Sequence, residues 1–287
     1  MTRFSPSIPI FAPSRALMLI LALAMLAALP MAARAADRDR LEAFLNVTGF
    51  DVALESIKLA AGAAPKMLGV EPDVFGRDWT RLTDEVFDTE GMHAMALDIL
   101  EQTLSDELLA HAAGFYATDL GQRLVVAENA SHMMEDDGEK QRIGRGLLAD
   151  MEDENPERLE YFRRMGAAID ASGMGARALQ QIQFRFLLAA SAAGVIELKM
   201  DPADLRAMMA AQEEALQRDL RASGLAASAY TYRGFSDAEV EAYAEALEHP
   251  DMQRVYELMN AVQYELMANR FEVLAARMAD LHPGQEL

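Results

Sequence analysis

Residues 104–123 read LSDELLAHAAGFYATDLGQR, and this stretch decides the fold class. Ser105 can cap a helix start, with Leu104 packing against Leu109 one turn later. Thr118 can cap a second helix that begins at Asp119. The apolar residues of the first helix recur at helical spacing and share one face: Leu108, Leu109, Ala112, Phe115 and Tyr116. The stretch predicts two consecutive helices joined by a tight corner.

The rest of the chain has the same helical character. Ala, Leu, Met, Glu, Arg and Gln fill nearly every stretch, and these residues favour helices. No segment shows the alternating apolar and polar pattern, rich in Val, Ile and Thr, that is typical of strands. The prolines after residue 35 stand where helices can begin or end. We therefore predict an all-α, multi-helix fold.

Two sets of short matches indicate an internal repeat. LSD at 104–106 is matched by FSD at 235–237, where Glu239 completes a capping box. Further upstream, RLE-x-F at 40–44 is matched by RLE-x-F at 158–162. We predict two diverged helical repeats, packed as a bundle-like array.

The matches divide the chain after residue 35 into three parts. Residues 36–135 form the first predicted repeat and residues 156–287 the second. Residues 136–155 join them and carry two acidic runs. Because 141–151 can form a helix, we expect this segment to be an acidic helical bridge.

The final helix is predicted over residues 251–281. Its apolar side chains recur three and four residues apart, which indicates one buried stripe. The members of this predicted stripe are Met252, Val255, Met259, Val262, Leu266 and Val273.

Residues 1–35 have the pattern of a secretory signal peptide. Arg3 and Arg15 make its start positive, residues 16–29 are unbroken apolar, and Ala33-Arg34-Ala35 offers a cleavage site after Ala35. This apolar run is shorter than the ~20 residues that a membrane-spanning helix needs. A lipid anchor would require a cysteine, and the sequence has none. We therefore expect an exported, periplasmic protein without a stable membrane anchor.

The charge balance excludes several classes of partner. The sequence carries a formal net charge of −20 at pH 7. An acidic surface repels phosphate backbones and anionic lipids, which argues against nucleic acid and membrane-surface binding. With no cysteine, the fold has no disulfides and depends on its core.

Residues 104–123 resemble the bacterial domain-of-unknown-function 2059 family, which comprises exported helical proteins of undetermined biochemistry. The likeness rests on the acidic helix start, the pair Phe115-Tyr116, the short break, and Gly121-Gln122. It extends over residues 37–134, where 41–57 and 79–87 look like the preceding helices. In the second copy, Ala246-Leu247 replaces the aromatic pair. The resemblance implies no catalytic residues.

The four motif residues Phe115, Tyr116, Gly121 and Gln122 have two interpretations. In the first, they are a packing motif at a helix corner, where Gly121 lets a neighbouring helix approach and Gln122 bonds exposed backbone. In the second, Tyr116 and Gln122 line a small pocket. His111 and His132 would then contribute to a ligand or metal site nearby.

No residue pattern predicts catalysis, a resident metal or a cofactor. Glu90 and His93 have the spacing of one di-iron motif, but such sites need two motifs and further glutamates. Ser172 lacks the setting of a nucleophile elbow. Three further pairs have the four-residue spacing of ordinary surface pairs: Glu107 with His111, Glu128 with His132, and Glu245 with His249. We predict that the protein is not an enzyme.

Methionine gives the only hint of a partner. Such side chains suit grooves that accept varied apolar partners, although they also fill cores, and thioethers next to His132 could suit copper(I). The candidate groups are Met133-Met134, Met208-Met209, and the C-terminal set Met252, Met259, Met267 and Met278. On this basis we predict binding of a protein or peptide partner in the cell envelope. The alternative is a small-ligand or metal-binding protein with its pocket near Tyr116 and Gln122.

Overall fold

A computed structural model describes residues 37–67 and 76–279 of the chain. The predicted signal peptide and the end of the predicted last helix at 281 lie outside these residues. All described residues belong to one compact unit.

Helices account for the regular structure, and the described residues contain no strand. The all-α prediction is therefore confirmed. The first part comprises α1 (Arg38–Thr48), α2 (Phe50–Glu55), α3 (Ile57–Ala60), a 3-10 turn (Ala61–Ala63), α4 (Ala64–Met67), α5 (Gly76–Val86), α6 (Thr89–Thr103), α7 (Asp106–Tyr116) and α8 (Asp119–His132). The remainder comprises α9 (Asp137–Glu154), α10 (Pro156–Ile169), α11 (Gly175–Ala192), α12 (Pro202–Ala211), α13 (Glu213–Thr231), α14 (Asp237–Glu248) and α15 (Pro250–Met278). None of these helices is both long enough and apolar enough to cross a membrane.

Helix α15 is the centre of the packing. It contacts α5, α6 and α7 from the first part of the chain and α10, α11 and α14 from the second. One hydrophobic core runs through both parts. The two predicted repeats therefore share their core in this structure.

The predicted stripe on α15 holds as far as Leu266 and then fails. Val273 is 37% exposed, whereas Phe271, Leu274 and Met278 are buried. Phe271 packs edge-on against Phe87 and Phe186, with ring centroids 5.5 and 5.4 Å away. The buried face shifts because the second half of α15 lies between α5 and α11, which a single-stripe pattern does not foresee.

The segment between the predicted repeats is one continuous helix. The helix expected over 141–151 is part of α9, which packs along α13. At Gly144 the two helices are so close that a Cβ would overlap the carbonyl oxygen of Ala226. Helix α9 is thus held against its neighbour by backbone-to-backbone contact.

Equivalent residues of the predicted repeats make equivalent contacts. Arg40 pairs with Asp106 at 2.7 Å, and Arg158 pairs with Asp237 at 2.6 Å. Each aspartate is the first residue of a helix capped by serine. This correspondence is what a duplicated set of helices would give, while the repeat itself stays a prediction.

Candidate functional site

The corner between α7 and α8 is built by local hydrogen bonds. Ser105 accepts the amide of Leu108 at 3.4 Å and caps α7. Thr118 accepts the amide of Gly121 at 3.1 Å and donates its hydroxyl to the carbonyl of Phe115 at 2.7 Å. The predicted caps are therefore present, and they bind α8 back onto the end of α7.

Two residues of the predicted motif shape this corner. Gln122 is exposed and donates from Nε2 to the carbonyl of Tyr116 at 3.4 Å, as expected of a side chain that bonds free backbone at a helix end. A Cβ on Gly121 would overlap the Phe115 oxygen and lie 2.6 Å from the Tyr116 Cα. The close approach at Gly121 is made by the end of α7, so glycine is required by the corner itself.

The aromatic pair points away from solvent. Tyr116 is 1% exposed. Phe115 is half-buried, and its ring stacks on Tyr243 with centroids 5.7 Å apart. Leu109 and Ala112 are buried on the same face of α7. The apolar face predicted for this helix is confirmed.

The hydroxyl of Tyr116 joins a group that we call the tyrosine–glutamate cluster. It consists of four buried tyrosines and one half-buried glutamate: Tyr116, Tyr232, Tyr243, Tyr256 and Glu128. Tyr116 Oη lies 2.9 Å from Tyr243 Oη and 2.5 Å from Tyr256 Oη. Tyr243 Oη lies 3.1 Å from Tyr256 Oη and donates to Glu128 Oε1 at 2.8 Å. Tyr232 donates to the same carboxylate oxygen at 2.7 Å.

These distances are compatible with the following arrangement of protons when Glu128 is ionised. Each tyrosine has a single hydroxyl proton to donate. Because Tyr243 donates to Glu128, Tyr116 can donate to Tyr243, and Tyr256 can donate to Tyr116. The cluster then forms a chain of donors that ends on the carboxylate, together with the separate donation from Tyr232.

Burial dominates the electrostatics of the cluster. It raises the pKa of Glu128 above the ordinary carboxyl value, while the hydrogen bonds from Tyr232 and Tyr243 act in the opposite direction. Burial also raises the pKa of Tyr116, Tyr232, Tyr243 and Tyr256, so these phenols keep their protons at neutral pH.

The cluster is suited to positioning helices. Its side chains connect α7, α8, the end of α13, α14 and α15. Within it, Tyr116 and Tyr243 are each only 1% exposed. A ligand in solvent cannot reach the Tyr116 hydroxyl without opening this core. The geometry therefore favours the packing interpretation of the corner motif.

Glu128 lies where the sequence pattern did not predict it. We expected it to pair with His132 on the surface, but its Oε1 faces the tyrosines. A signal was present, because Gly121, Leu124 and Glu128 follow one another at helical spacing and the first two are buried. The tyrosine partners lie 104 and 115 residues further along the chain, which no local pattern links.

An open cleft lies elsewhere, between the α10–α11 connection and the first half of α15. Its volume is about 460 Å³. Met174 stands at this cleft and is 55% exposed. The other lining residues are Ile169, Asp170, Ala171, Ser172, Pro250, Gln253, Arg254, Glu257, Asn260, Ala261 and Tyr264. None of the four predicted motif residues lines this cleft.

Of the four carboxylate–histidine pairs noted in the sequence, two contribute a histidine to a group of side chains that could hold a metal ion. Asp88 caps α6 and accepts the amide of Gly91 at 2.7 Å, so Glu90 and Gly91 lie in the first turn of that helix. His93 Nε2 lies 3.3 Å from the carbonyl of Asp51. His111, by contrast, lies beside His249 and Asp251, and ligand atoms of the three side chains are within 4.8 Å of one another.

The methionines of α15 fill the core. Met252, Met259 and Met278 are buried, and Met267 packs against the same core from a partly buried position. They are unavailable as a partner groove, so that interpretation of the C-terminal set is wrong. Among the residues that the structure describes, the exposed methionines are Met133, Met174, Met200 and Met208.

Comparison with known proteins identifies the segment that contains the corner. No curated protein and no solved structure matches the chain. A family of uncharacterised proteins conserved in bacteria, DUF2059, matches residues 90–150, which include α7, α8 and most of α6 and α9. The match extends beyond the first predicted repeat into the bridge, and it does not include the upstream helices that we expected or the second copy. Over residues 90–150, the predicted resemblance to the DUF2059 family is confirmed.

Proposed function

We propose that this protein is an exported, non-catalytic helical protein that binds an apolar peptide segment of a protein partner in the cell envelope. The segment would lie in the cleft between the α10–α11 connection and α15. The observation that carries the proposal is the exposed thioether of Met174 at that cleft.

Four of the polar side chains that line the cleft already have partners within the protein. Asp170 accepts the amides of Met174 and Gly175 at 3.0 and 3.3 Å. Asn260 donates to the carbonyl of Ile169 at 2.9 Å, and Arg254 pairs with Glu257 at 2.5 Å. Beside these paired groups, the exposed side chain of Met174 offers an occupant apolar contact.

An apolar peptide segment fits this chemistry better than a strongly polar ligand. Methionine is flexible and polarizable, so its side chain adapts to apolar partners of different shape. The acidic charge of the chain disfavours anionic occupants. The four tyrosines of the tyrosine–glutamate cluster are buried, which supports a binding role over catalysis at that cluster.

Site-specific crosslinking in the cell tests the proposal. A photo-crosslinking amino acid at Ala261, an exposed residue of the cleft, should capture a discrete partner. The same amino acid at Ala242, an exposed residue of α14, is the matched control. Equal capture at both positions, or none at Ala261, would contradict the proposed cleft.

Occupancy can be tested separately from capture. Ala261→Trp adds bulk to the cleft and should reduce capture by a probe at Met174, whereas Ala242→Trp should leave it unchanged. A volume of about 460 Å³ also suits a small molecule. If a purified small ligand from the envelope protects the cleft and no protein is captured, the occupant is that ligand.

Export is tested by the N-terminus of the protein in cells. We expect the periplasmic fraction to contain a form beginning at Ala36, because Ala33-Arg34-Ala35 has the pattern that signal peptidase cuts. A protein that remains in the cytoplasm with its first 35 residues attached would refute this part of the proposal.

A further inference from the structure

Two histidines distant in sequence meet at the surface between α7 and α15. His111 lies on α7, and His249 precedes the first residue of α15. Their rings are stacked, with centroids 4.2 Å apart and an interplanar angle of 27°. Asp251 follows on the same turn as His249, and its Oδ2 lies 3.7 Å from His249 Nδ1.

We propose that His111, His249 and Asp251 form a binding site for one divalent transition-metal ion, with Zn²⁺ as the best match. Two imidazole nitrogens and one carboxylate oxygen are a donor set that zinc uses, and water can complete a tetrahedron. The imidazoles also suit copper(II) and nickel(II), whereas magnesium and calcium prefer oxygen ligands alone.

The ligand atoms are near the required separation. They lie within 4.8 Å of one another. Tetrahedral zinc with bonds of about 2.0–2.1 Å places its ligand atoms roughly 3.4 Å apart. His111 is half-buried, and His249 and Asp251 are exposed, so rotation of these side chains can close the difference without moving a helix.

The charge around the site favours a cation. Glu107 lies one turn before His111 on α7, and residues four apart share a helix face. The whole chain carries a net charge of −20. An acidic surface raises the local concentration of cations and speeds their association.

A hydrogen bond that His249 makes in the metal-free protein competes with metal binding. His249 Nδ1 accepts the amide of Asp251 at 3.2 Å and thereby caps α15. In the neutral ring this requires the proton on Nε2. If Nδ1 binds the ion, its lone pair is no longer available to the amide of Asp251. If Nε2 binds the ion, the ring proton moves to Nδ1, which then cannot accept a hydrogen bond. Coordination through either nitrogen therefore removes the cap. The site should therefore bind metal reversibly, and the fold does not depend on the ion.

A bound ion would connect α7 to the start of α15. These helices belong to the two predicted repeats and already share the core of the protein. A ligand that binds only the folded state stabilises it by mass action. Zinc should therefore raise the unfolding temperature as well as bind with one-to-one stoichiometry.

The test is isothermal titration of the purified protein, without a histidine tag, with Zn²⁺. The wild type should bind one ion, and His111→Gln and His249→Asn should each weaken binding by about tenfold or more. Asparagine is chosen at 249 because it can still cap a helix, so loss of binding does not reflect loss of α15. Circular dichroism should show unchanged helix content in both variants.

The matched control is His132→Asn, which removes another exposed histidine and should leave the affinity unchanged. With Cu²⁺ as a probe, electron paramagnetic resonance should show coupling to nitrogen that decreases in His111→Gln. The proposal is overturned if the wild type binds no Zn²⁺, or if His111→Gln and His249→Asn bind as tightly as His132→Asn.

Discussion

Truncating Tyr116 tests whether the corner motif is part of the core. In Tyr116→Phe the ring remains, and only hydrogen bonds to Tyr243 and Tyr256 are lost, at 2.9 and 2.5 Å in the wild type. Those two hydroxyls still lie 3.1 Å from each other and can keep one bond. A net hydrogen bond contributes roughly 0.5–1.5 kcal/mol, so we expect Tyr116→Phe to lower the free energy of unfolding by about 1–2 kcal/mol.

Tyr116→Ala also removes a ring that is 1% exposed. Aromatic-to-alanine changes in cores cost about 3–5 kcal/mol, and the lost hydrogen bonds bring the expected total to about 4–6 kcal/mol. For a chain of this size, each kcal/mol lowers the unfolding temperature by about 2–4 °C.

Thermal and urea unfolding, followed by circular dichroism, measure both variants. Tyr230→Phe is the control, because the Tyr230 ring lies beneath the Arg233 guanidinium and outside the tyrosine–glutamate cluster. If Tyr116→Ala unfolds at the wild-type temperature, Tyr116 is not a core residue and the packing interpretation fails. If Tyr116→Phe is as damaging as Tyr116→Ala, the hydroxyl rather than the ring carries the stability.

Three further predictions follow from neighbouring contacts. Burial raises the pKa of Glu128 above 4.5 in the folded state, so folding favours the protonated carboxyl. The stability that this preference contributes is fully present below the ordinary carboxyl pKa, and it is lost as the pH rises through the pKa that Glu128 has in the folded protein. Glu128→Gln, which cannot ionise, should therefore gain stability relative to the wild type as pH rises from 4.5; a constant difference in urea midpoints across pH would contradict this. Gly121→Ala should destabilise the fold, since its Cβ would overlap backbone, whereas Gly114→Ala enters open space within α7 and should stabilise it by about 0.5–1 kcal/mol; equal melting shifts for the two variants would disprove the tight corner. Arg158→Ala should lower the free energy of unfolding by about 2–3 kcal/mol, because Arg158 is buried and hydrogen-bonded. Arg40→Ala, at the exposed equivalent position, should lower it by at most about 1 kcal/mol, and equal shifts of the urea midpoint in the two variants would contradict this difference.

The local chemistry of the chain predicted much of the corner. Ser105, Thr118 and the break before Pro250 appear as helix boundaries, because a cap depends on residues within one turn. Gln122 bonds the free backbone as expected. Such features can be predicted because they require no information about which helices become neighbours.

Prediction became unreliable where burial depends on a neighbouring helix. Val273 continues the apolar spacing of α15 but is exposed, since α5 and α11 cover another face at that level. Met252 and Met259 could have lined a groove or filled a core, and methionine suits both. Only the packing of α15 at the centre of the fold distinguishes these cases.

The sequence by itself determined the all-α class, the helix caps and the inward face of α7, because these arise from contacts within a few residues. It also predicted a family resemblance over residues 37–134, which the comparison confirms over residues 90–150. Tertiary structure alone decided that Tyr116 meets Tyr243 and Tyr256, which lie 127 and 140 residues further along the chain. It likewise brought His111 beside His249. Contacts across such separations depend on how whole helices pack, and helical periodicity specifies which face is buried but not which helix covers it.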